Sequence, residues 1–542
     1  MASPSRYCAF VELDPSCEYK TGSHTICFCI TFLIAILLSG CGVSQSETSR
    51  VSNTLPPDNG TIPASYWGII VNQATRFPAQ VPYGEFRAWD AVGAQWPDIE
   101  TCQASGNPTD PCYTWYSFDL YMNKLYEAGV TNVMYTMSRT PLWGVDLNSD
   151  PTGLNGTDCN YYIAGSPKPT RGPGQCLPPV DLNPDGSGAD QIWKNWVTAI
   201  ATRTNTPSYL QTHAHINYWE PWNEYYRSSV LRPNLISNNL SFEGTYAQLV
   251  RLTEDMRCTI TGKGTIHNYP QAGQSAPCSA TPIDSKAVIV SPSGSASFQQ
   301  GLDVVQNFLY CSGTGAHAPA AGSYCTAGSA GSEAVDVINF HLYADTITPE
   351  TVAGIYVPNA RAILQPADLK KPMINGEGSW SNPAKPGDLW ADPYAQAGFI
   401  PRFFALYWSA GLTMNMWYSY DTIVGELFNA PSGQLNRPVA PAWTETNKWL
   451  VGAMPDNNPF CANSGTVYTC DFKEADGKAA ELVWDAQYGQ NCSEMSNPEI
   501  CGNTPYNVPG KFNQDWIDVS GAKHGATNVV TIGANPILLE GQ

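Results

Sequence analysis

The segment His215-Ile216-Asn217-Tyr218-Trp219-Glu220-Pro221-Trp222-Asn223-Glu224 decides how this chain is read. Its first half, His215 to Trp219, is a short apolar run of strand length, and it leads into two carboxylates that flank a proline. In barrels of alternating strands and helices, chemistry collects at the carboxyl ends of the strands.

The same texture recurs on both sides. Apolar runs at Trp67–Asn72, Glu85–Trp89 and Asn132–Met137 precede it, and Ala287–Val290, Val335–Phe340, Pro372–Asn375 and Thr413–Trp417 follow. Helical spacing of apolar residues marks Phe118–Ala128, Ile192–Thr202, Tyr246–Met256, Leu302–Tyr310, Tyr394–Ser409 and Ala442–Val451, while the link between the first two strands shows no clear helix. Strands alternating with helices predict an α/β fold, a (β/α)8 TIM barrel over residues 64–452. Beyond residue 452 helical periodicity stops. Thr466–Phe472, Ala480–Trp484 and Asn528–Ile532 read as strands, so 453–542 is expected to form a small C-terminal β-sandwich-like domain.

The N-terminus carries a different signal. Ile26 to Leu38 is an apolar stretch of signal-peptide length, too short to span a bilayer comfortably. It ends in Leu38-Ser39-Gly40-Cys41, which resembles the bacterial lipobox, so residues 1–41 are expected to be a signal and lipoprotein segment with a lipid anchor at Cys41. Residues 42–63, rich in Ser, Thr, Asn and Pro, read as a flexible linker. After Cys41 come 12 cysteines in close pairs: Cys102 and Cys112, Cys159 and Cys176, Cys258 and Cys278, Cys311 and Cys325, Cys461 and Cys470, Cys492 and Cys501. Pairing between neighbours is the simplest hypothesis, because each pair would close a short loop rich in turn residues. An extracytoplasmic location follows from both features.

Composition narrows the function. The 542 residues are 43% hydrophobic and 14% charged, enough apolar material for a large core, and the formal net charge of −19 speaks against a nucleic-acid partner. Trp (17) and Tyr (28) are numerous; most are expected in the core, but aromatic faces also suit sugar rings. No CxxC pair or HExxH motif stands among the residues after Cys41, so no metal or other cofactor is expected. No GxSxG elbow of a serine hydrolase occurs.

Two carboxylates meet the strand-end criterion, Glu224 after the fourth strand and Glu377 in Asn375-Gly376-Glu377-Gly378 after the seventh. Cleaving a glycoside with retention needs one carboxylic acid to protonate the leaving oxygen and one carboxylate to attack the anomeric carbon. Trp222-Asn223-Glu224 together with Gly376-Glu377 resembles clan A of the glycoside hydrolases over residues 64–452. Phe86-Arg87-Ala88-Trp89-Asp90 and Thr140-Pro141-Leu142-Trp143 resemble family 39 and its β-xylosidase relatives within that clan. The match departs from the clan in having Tyr225, not Pro, after Glu224.

The resemblance implies Glu224 as acid/base and Glu377 as nucleophile of a retaining glycosidase acting on a carbohydrate, with β-linkages favoured. It implies that Asn223 binds the sugar 2-hydroxyl, that Arg87 keeps Glu377 ionised, and that His341 and Tyr343 form the clan's His-x-Tyr, with Tyr343 donating to the nucleophile. Trp417 would lie under the sugar in the cleaved subsite. Trp222 is a candidate rim aromatic that would contact substrate. Glu220 competes with Glu224 by position, and its place within the strand marks it as structural. A carbohydrate-binding surface lipoprotein without catalysis and a transglycosylase on the same barrel are the other readings.

Overall fold

The computed structural model describes residues 60–541 apart from 74–75, 77–78, 92, 131, 150–173, 226–241, 297–298, 312–324, 326–327, 329, 345–346, 381–389, 488, 490, 513–514 and 526. The expected signal segment, the lipobox at Cys41 and most of the linker lie outside the described residues, as does Cys159. Residues Asn53–Gln542 form one compact unit.

Eight parallel strands close into a barrel. They are β1 (Trp67–Ile69), β2 (Glu85–Ala88), β3 (Asn132–Thr136), β4 (His215–Glu220), β5 (in two pieces, Val288–Ile289 and Gly294–Ser295), β6 (Ile338–His341), β7 (Met373–Gly378) and β8 (Asn415–Trp417). The sheet runs from the first piece of β5 through β4, β3, β2, β1, β8, β7 and β6 to the second piece of β5. The two pieces belong to one strand, and the Val290–Val337 bridge joins β5 to the edge of β6, so the ring has no free edge. The strands are short, and each expected segment starts or ends within a few residues of its observed one.

Helices cover the ring: α1 (Tyr116–Glu127), α2 (Gln191–Thr204), α3 (Tyr246–Thr261), α4 (Gln299–Tyr310), α5 (Pro393–Ser409) and α6 (Val439–Leu450). Their ends are written locally. Thr245 and Gln248 form a reciprocal capping box at the start of α3, and Asp392 accepts from the backbone of Tyr394 and Ala395 at the start of α5. A further helical stretch between β6 and β7, Pro349–Thr351, Val352–Tyr356 and Val357–Ala362, was not signalled by periodicity. Its middle part is wound as a π-helix and its last part begins with Val357 and Pro358, which disrupts the 3.6-residue repeat.

The barrel interior is filled at its lower end by Met134, Tyr218, Val288, Val290, Val337, Ile374, Met414 and Met416. Gly68 of β1 makes room there, since a Cβ would stand 2.1 Å from the Met416 sulfur. After α6 come antiparallel strands. β9 (Val467–Lys473), β10 (Ala479–Asp485) and β13 (Ile537–Glu540) lie side by side, and β11 (Thr504–Asn507) pairs with β12 (Val529–Ile532) in a separate sheet. Val483, Ile500, Phe512, Val530, Ile532, Ile537 and Leu539 form the core between the two sheets, a small sandwich. An ion pair ties this sandwich to the barrel: Arg402 of α5 grips Glu350 with both Nε (2.7 Å) and Nη2 (2.6 Å), and the indole of Trp484 on β10 donates to the same carboxylate at 2.8 Å.

Among the described residues, disulfides join neighbouring cysteines in Cys102–Cys112, Cys258–Cys278, Cys311–Cys325, Cys461–Cys470 and Cys492–Cys501. Such bonds persist in oxidising compartments. Among the described residues no helix is long and apolar enough to cross a membrane.

Candidate active site

The carboxyl ends of β2, β4, β6 and β7 converge on one cluster. Arg87, on β2 and fully buried, is its centre. Its Nη1 donates to Glu377 Oε2 at 2.8 Å, its Nη2 to Glu220 Oε2 at 2.6 Å and to Asn223 Oδ1 at 2.7 Å. Glu220 is wholly buried and is gripped further by the Thr136 hydroxyl and by Asn339 Nδ2 at 2.9 Å. Gly376 allows this approach, because a Cβ there would stand 2.3 Å from the Asn339 side chain. Glu220 thus anchors the arginine that meets Glu377.

Glu377 takes a second hydrogen bond from the Tyr343 hydroxyl to Oε1 at 2.6 Å. Its side chain is 9% exposed, against 31% for Glu224. Burial is the largest influence on Glu377 and pushes its carboxyl above the usual range; nearby Glu224 pushes the same way, while His341, Arg87 and the Tyr343 hydrogen bond pull it down. Arg87 acts on Glu377 in the expected sense, yet burial outweighs it. Arg87 is also bonded to Glu220, so a second acid lies against the same cation.

Glu224 sits just past β4 with a left-handed backbone (φ 41°), and its N–H donates to Ser293 Oγ at 3.1 Å. Non-glycine residues in that region are held there by their surroundings and gather at functional sites. His341 lies between the carboxylates: Nδ1 is 2.8 Å from Glu224 Oε1 and 3.8 Å from Glu377 Oε2. Its Nε2 is buried with no hydrogen-bond partner among the described residues, which favours the tautomer carrying the proton on Nδ1, facing Glu224. One oxygen from each glutamate and a ring nitrogen of His341 all lie within 4.8 Å of one another. Such a trio also has the donor set of a metal site.

The expected residues divide. Glu224, Glu377, Asn223, Arg87, His341 and Tyr343 come together. Asn223 spends its oxygen on Arg87, so its amide N–H groups are what it can offer a substrate. Trp417 and Trp222 are corrections. The Trp417 ring is wholly buried, edge-on to Trp380, Phe399, Phe403 and Trp443, and its indole donates to Gly425 O at 2.7 Å. It has no exposed face for a sugar. Trp222 is 1% exposed and packs edge-on against Phe242. The next residue along β8, Tyr418, reaches the site instead, its hydroxyl 3.2 Å from Asp90 Oδ2. Sequence reasoning missed Tyr418, Asp90 and Ser293. Asp90 carried a signal, since it closes the Phe86–Asp90 motif.

No family model and no curated relative matches the sequence. Solved structures do resemble it. A family 39 glycoside hydrolase from the gut symbiont Bacteroides cellulosilyticus WH2 superposes with a TM-score of 0.53 at 12% identity, over 89% of this chain and 81% of that one. The fold is that of a clan A glycoside hydrolase. A family 51 arabinofuranosidase from Xanthomonas axonopodis pv. citri (10% identity, 90% and 98% covered, TM-score 0.46) and the family 30 xylanase C of Talaromyces cellulolyticus (12%, 90% and 99%, 0.47) are also similar. At such identities the clan A likeness speaks for the path of the chain, and the chemistry rests on the residues above.

Proposed function

We propose that the protein is a retaining glycoside hydrolase of the extracytoplasmic space, cleaving β-glycosidic bonds of oligo- or polysaccharides by double displacement. The observation that carries this reading is the spacing of Glu224 and Glu377, each with an oxygen inside a 4.8 Å cluster. Retaining enzymes keep their carboxyl groups about 5–5.5 Å apart, whereas inverting ones need about 6.5–9.5 Å to admit a water.

The roles follow from the surroundings. Glu377 is the more enclosed, is positioned by Arg87 and Tyr343, and attacks the anomeric carbon. Glu224 is the more exposed, takes a hydrogen bond from His341, and gives its proton to the departing oxygen as the covalent glycosyl-enzyme forms. Glu224 then removes a proton from water, whose oxygen displaces Glu377 with net retention. Asn223 donates to the sugar 2-hydroxyl, a contact of the kind that strengthens in the transition state. The lipid anchor at Cys41 would hold the enzyme at the cell envelope.

The test is turnover of a panel of aryl β-glycosides by the wild-type protein, Glu224→Ala and Glu377→Ala, with the product anomer read by proton NMR. Expected are a retained first product, an inactive Glu377→Ala, and rescue of Glu224→Ala by azide on an activated substrate. An inverted product would sink the double displacement. Binding without any turnover would favour a carbohydrate-binding lipoprotein.

A further inference from the structure

We infer that Asp90 reads the substrate, selecting a neutral sugar through its hydroxyls and turning away uronic acids. This rests on the glycosidase reading of the site and concerns its substrate class.

Asp90 lies two residues past β2, the strand that delivers Arg87 to Glu377. Three side chains hold its carboxylate. Arg139 Nη2 donates to Oδ1 at 3.1 Å, Gln95 Nε2 to Oδ1 at 3.3 Å, and the Tyr418 hydroxyl to Oδ2 at 3.2 Å. The Asp90 side chain remains 20% exposed, whereas Arg139 is 3% exposed. A carboxylate held by three donors and still partly exposed can accept further hydrogen bonds, since each oxygen offers two lone pairs.

Its backbone supports the same conclusion. Asp90 (φ 56°), Arg139 (φ 79°) and Glu224 (φ 41°) are left-handed non-glycine residues, standing just beyond β2, β3 and β4. Strain of this kind is kept where function requires the geometry, and one of the three is the proposed acid/base. The network also abuts the nucleophile. Tyr418 is close enough to Tyr343 to interact electrostatically, and Tyr343 donates to Glu377. The Trp89 ring carries the guanidinium groups of both Arg87 (5.6 Å) and Arg139 (4.9 Å), so the two networks share a contact. The hydrolytic steps make no use of Asp90.

The charge at this point decides the class of ligand. Sugar hydroxyls donate, and Asp90 accepts. A uronate carboxylate would meet the Asp90 charge, because Nη1 and Nη2 of Arg139 are engaged by Gln95 and Asp90. Like charges across a binding contact are costly. The net charge of −19 acts in the same direction at longer range.

Calorimetric binding of non-hydrolysable β-thioglycosides tests this without relying on turnover. The probes are xylo-, gluco-, galacto-, manno- and glucurono-thioglycosides, with wild type, Asp90→Ala and the shape-conserving Asp90→Asn. Wild type is expected to bind at least one neutral probe, and the glucuronide about 10-fold or more weakly than the glucoside. Asp90→Ala should weaken the best neutral probe about 10- to 100-fold, as for loss of hydrogen bonds to a charged group. Asp90→Asn should narrow the gap between glucoside and glucuronide, an effect that general loosening of the fold would not produce. Equal or tighter binding of the glucuronide to wild type overturns the inference, as does neutral binding unchanged in Asp90→Ala or absent altogether. Selective binding without hydrolysis of any aryl glycoside would sink the hydrolase reading alone; hydrolysis indifferent to Asp90 would sink this one alone.

Discussion

Glu350 and Glu377 each meet an arginine in the interior, and the two pairs behave oppositely. Glu350 is gripped bidentately by Arg402, takes a further hydrogen bond from Trp484, and is held below the ordinary carboxylate range although burial pulls upward. Glu377 meets Arg87 through one nitrogen, shares that arginine with Glu220 and Asn223, faces Glu224, and is pushed above the ordinary range, chiefly by burial. The residue types are the same. What differs is the surrounding charge: Glu377 faces a second acid, Glu224, whereas Glu350 takes two nitrogens of one arginine and an indole N–H. The Glu350 pair is a structural clamp, whereas the Glu377 carboxyl is left ready to gain or lose a proton, as a reacting group needs.

The sharpest way to break the comparison is to remove each arginine. Arg87→Met leaves Glu220 and Glu377 buried without their cation and removes the group that positions the nucleophile; kcat/KM should fall about 10³-fold or more on the best aryl glycoside. Arg402→Met should leave kcat/KM within a few-fold of wild type for the protein that remains folded. It should lower stability by about 3–5 kcal/mol, the cost of stranding one partner of a buried pair, read as a drop in the guanidinium midpoint. Comparable loss of activity in both variants would mean that Arg87 is only structural.

Charge-removing swaps sharpen the contrast through pH. A carboxyl raised in the folded state costs no stability below its unfolded pKa of about 4.3, and the cost grows as pH rises through the folded value. Glu377→Gln should therefore stabilise the protein at pH 7, and the gain should vanish near pH 4. Glu350 is depressed, so its contribution is present above about pH 4.3 and fades as pH falls through the folded value. Glu350→Gln should destabilise at pH 7 and do so less as the medium becomes acidic. Thermal melts across pH that move both variants in the same direction would remove the distinction.

A smaller effect concerns the rate profile. The nucleophile must be ionised to attack, so the acid limb of kcat/KM against pH should lie above about 4.3, the ordinary glutamate value. Glu220→Gln removes a negative charge held against the same guanidinium as Glu377 and should move that limb down. An acid limb unmoved by Glu220→Gln would show that the two carboxylates do not compete.

Much of this was legible in the sequence. Alternation of apolar runs and helical spacing is a local property, and it was enough for the barrel, since each strand and helix is specified by residues a few positions apart. Glu224 and Glu377 were found for a similar reason: both stand at strand ends, and in a parallel barrel all strand ends share one face. Disulfide partners close in sequence were also readable, because short loops favour them. The helical stretch at Pro349–Ala362 was missed because a π turn spoils the periodicity on which such reading depends.

What only the tertiary structure decided is carried by contacts between distant residues. Arg87 meets Glu220 across 133 positions and Glu377 across 290, and Tyr418 meets Asp90 across 328. No local pattern distinguishes an aromatic ring sealed in a core, as Trp417 is, from one that is only partly buried and reaches Asp90, as Tyr418 does one residue later. Nor does composition say which carboxylate will share its arginine. The sequence alone determined the barrel and named the two acids; packing decided which groups surround them, because burial and the division of charge exist only once remote segments lie side by side.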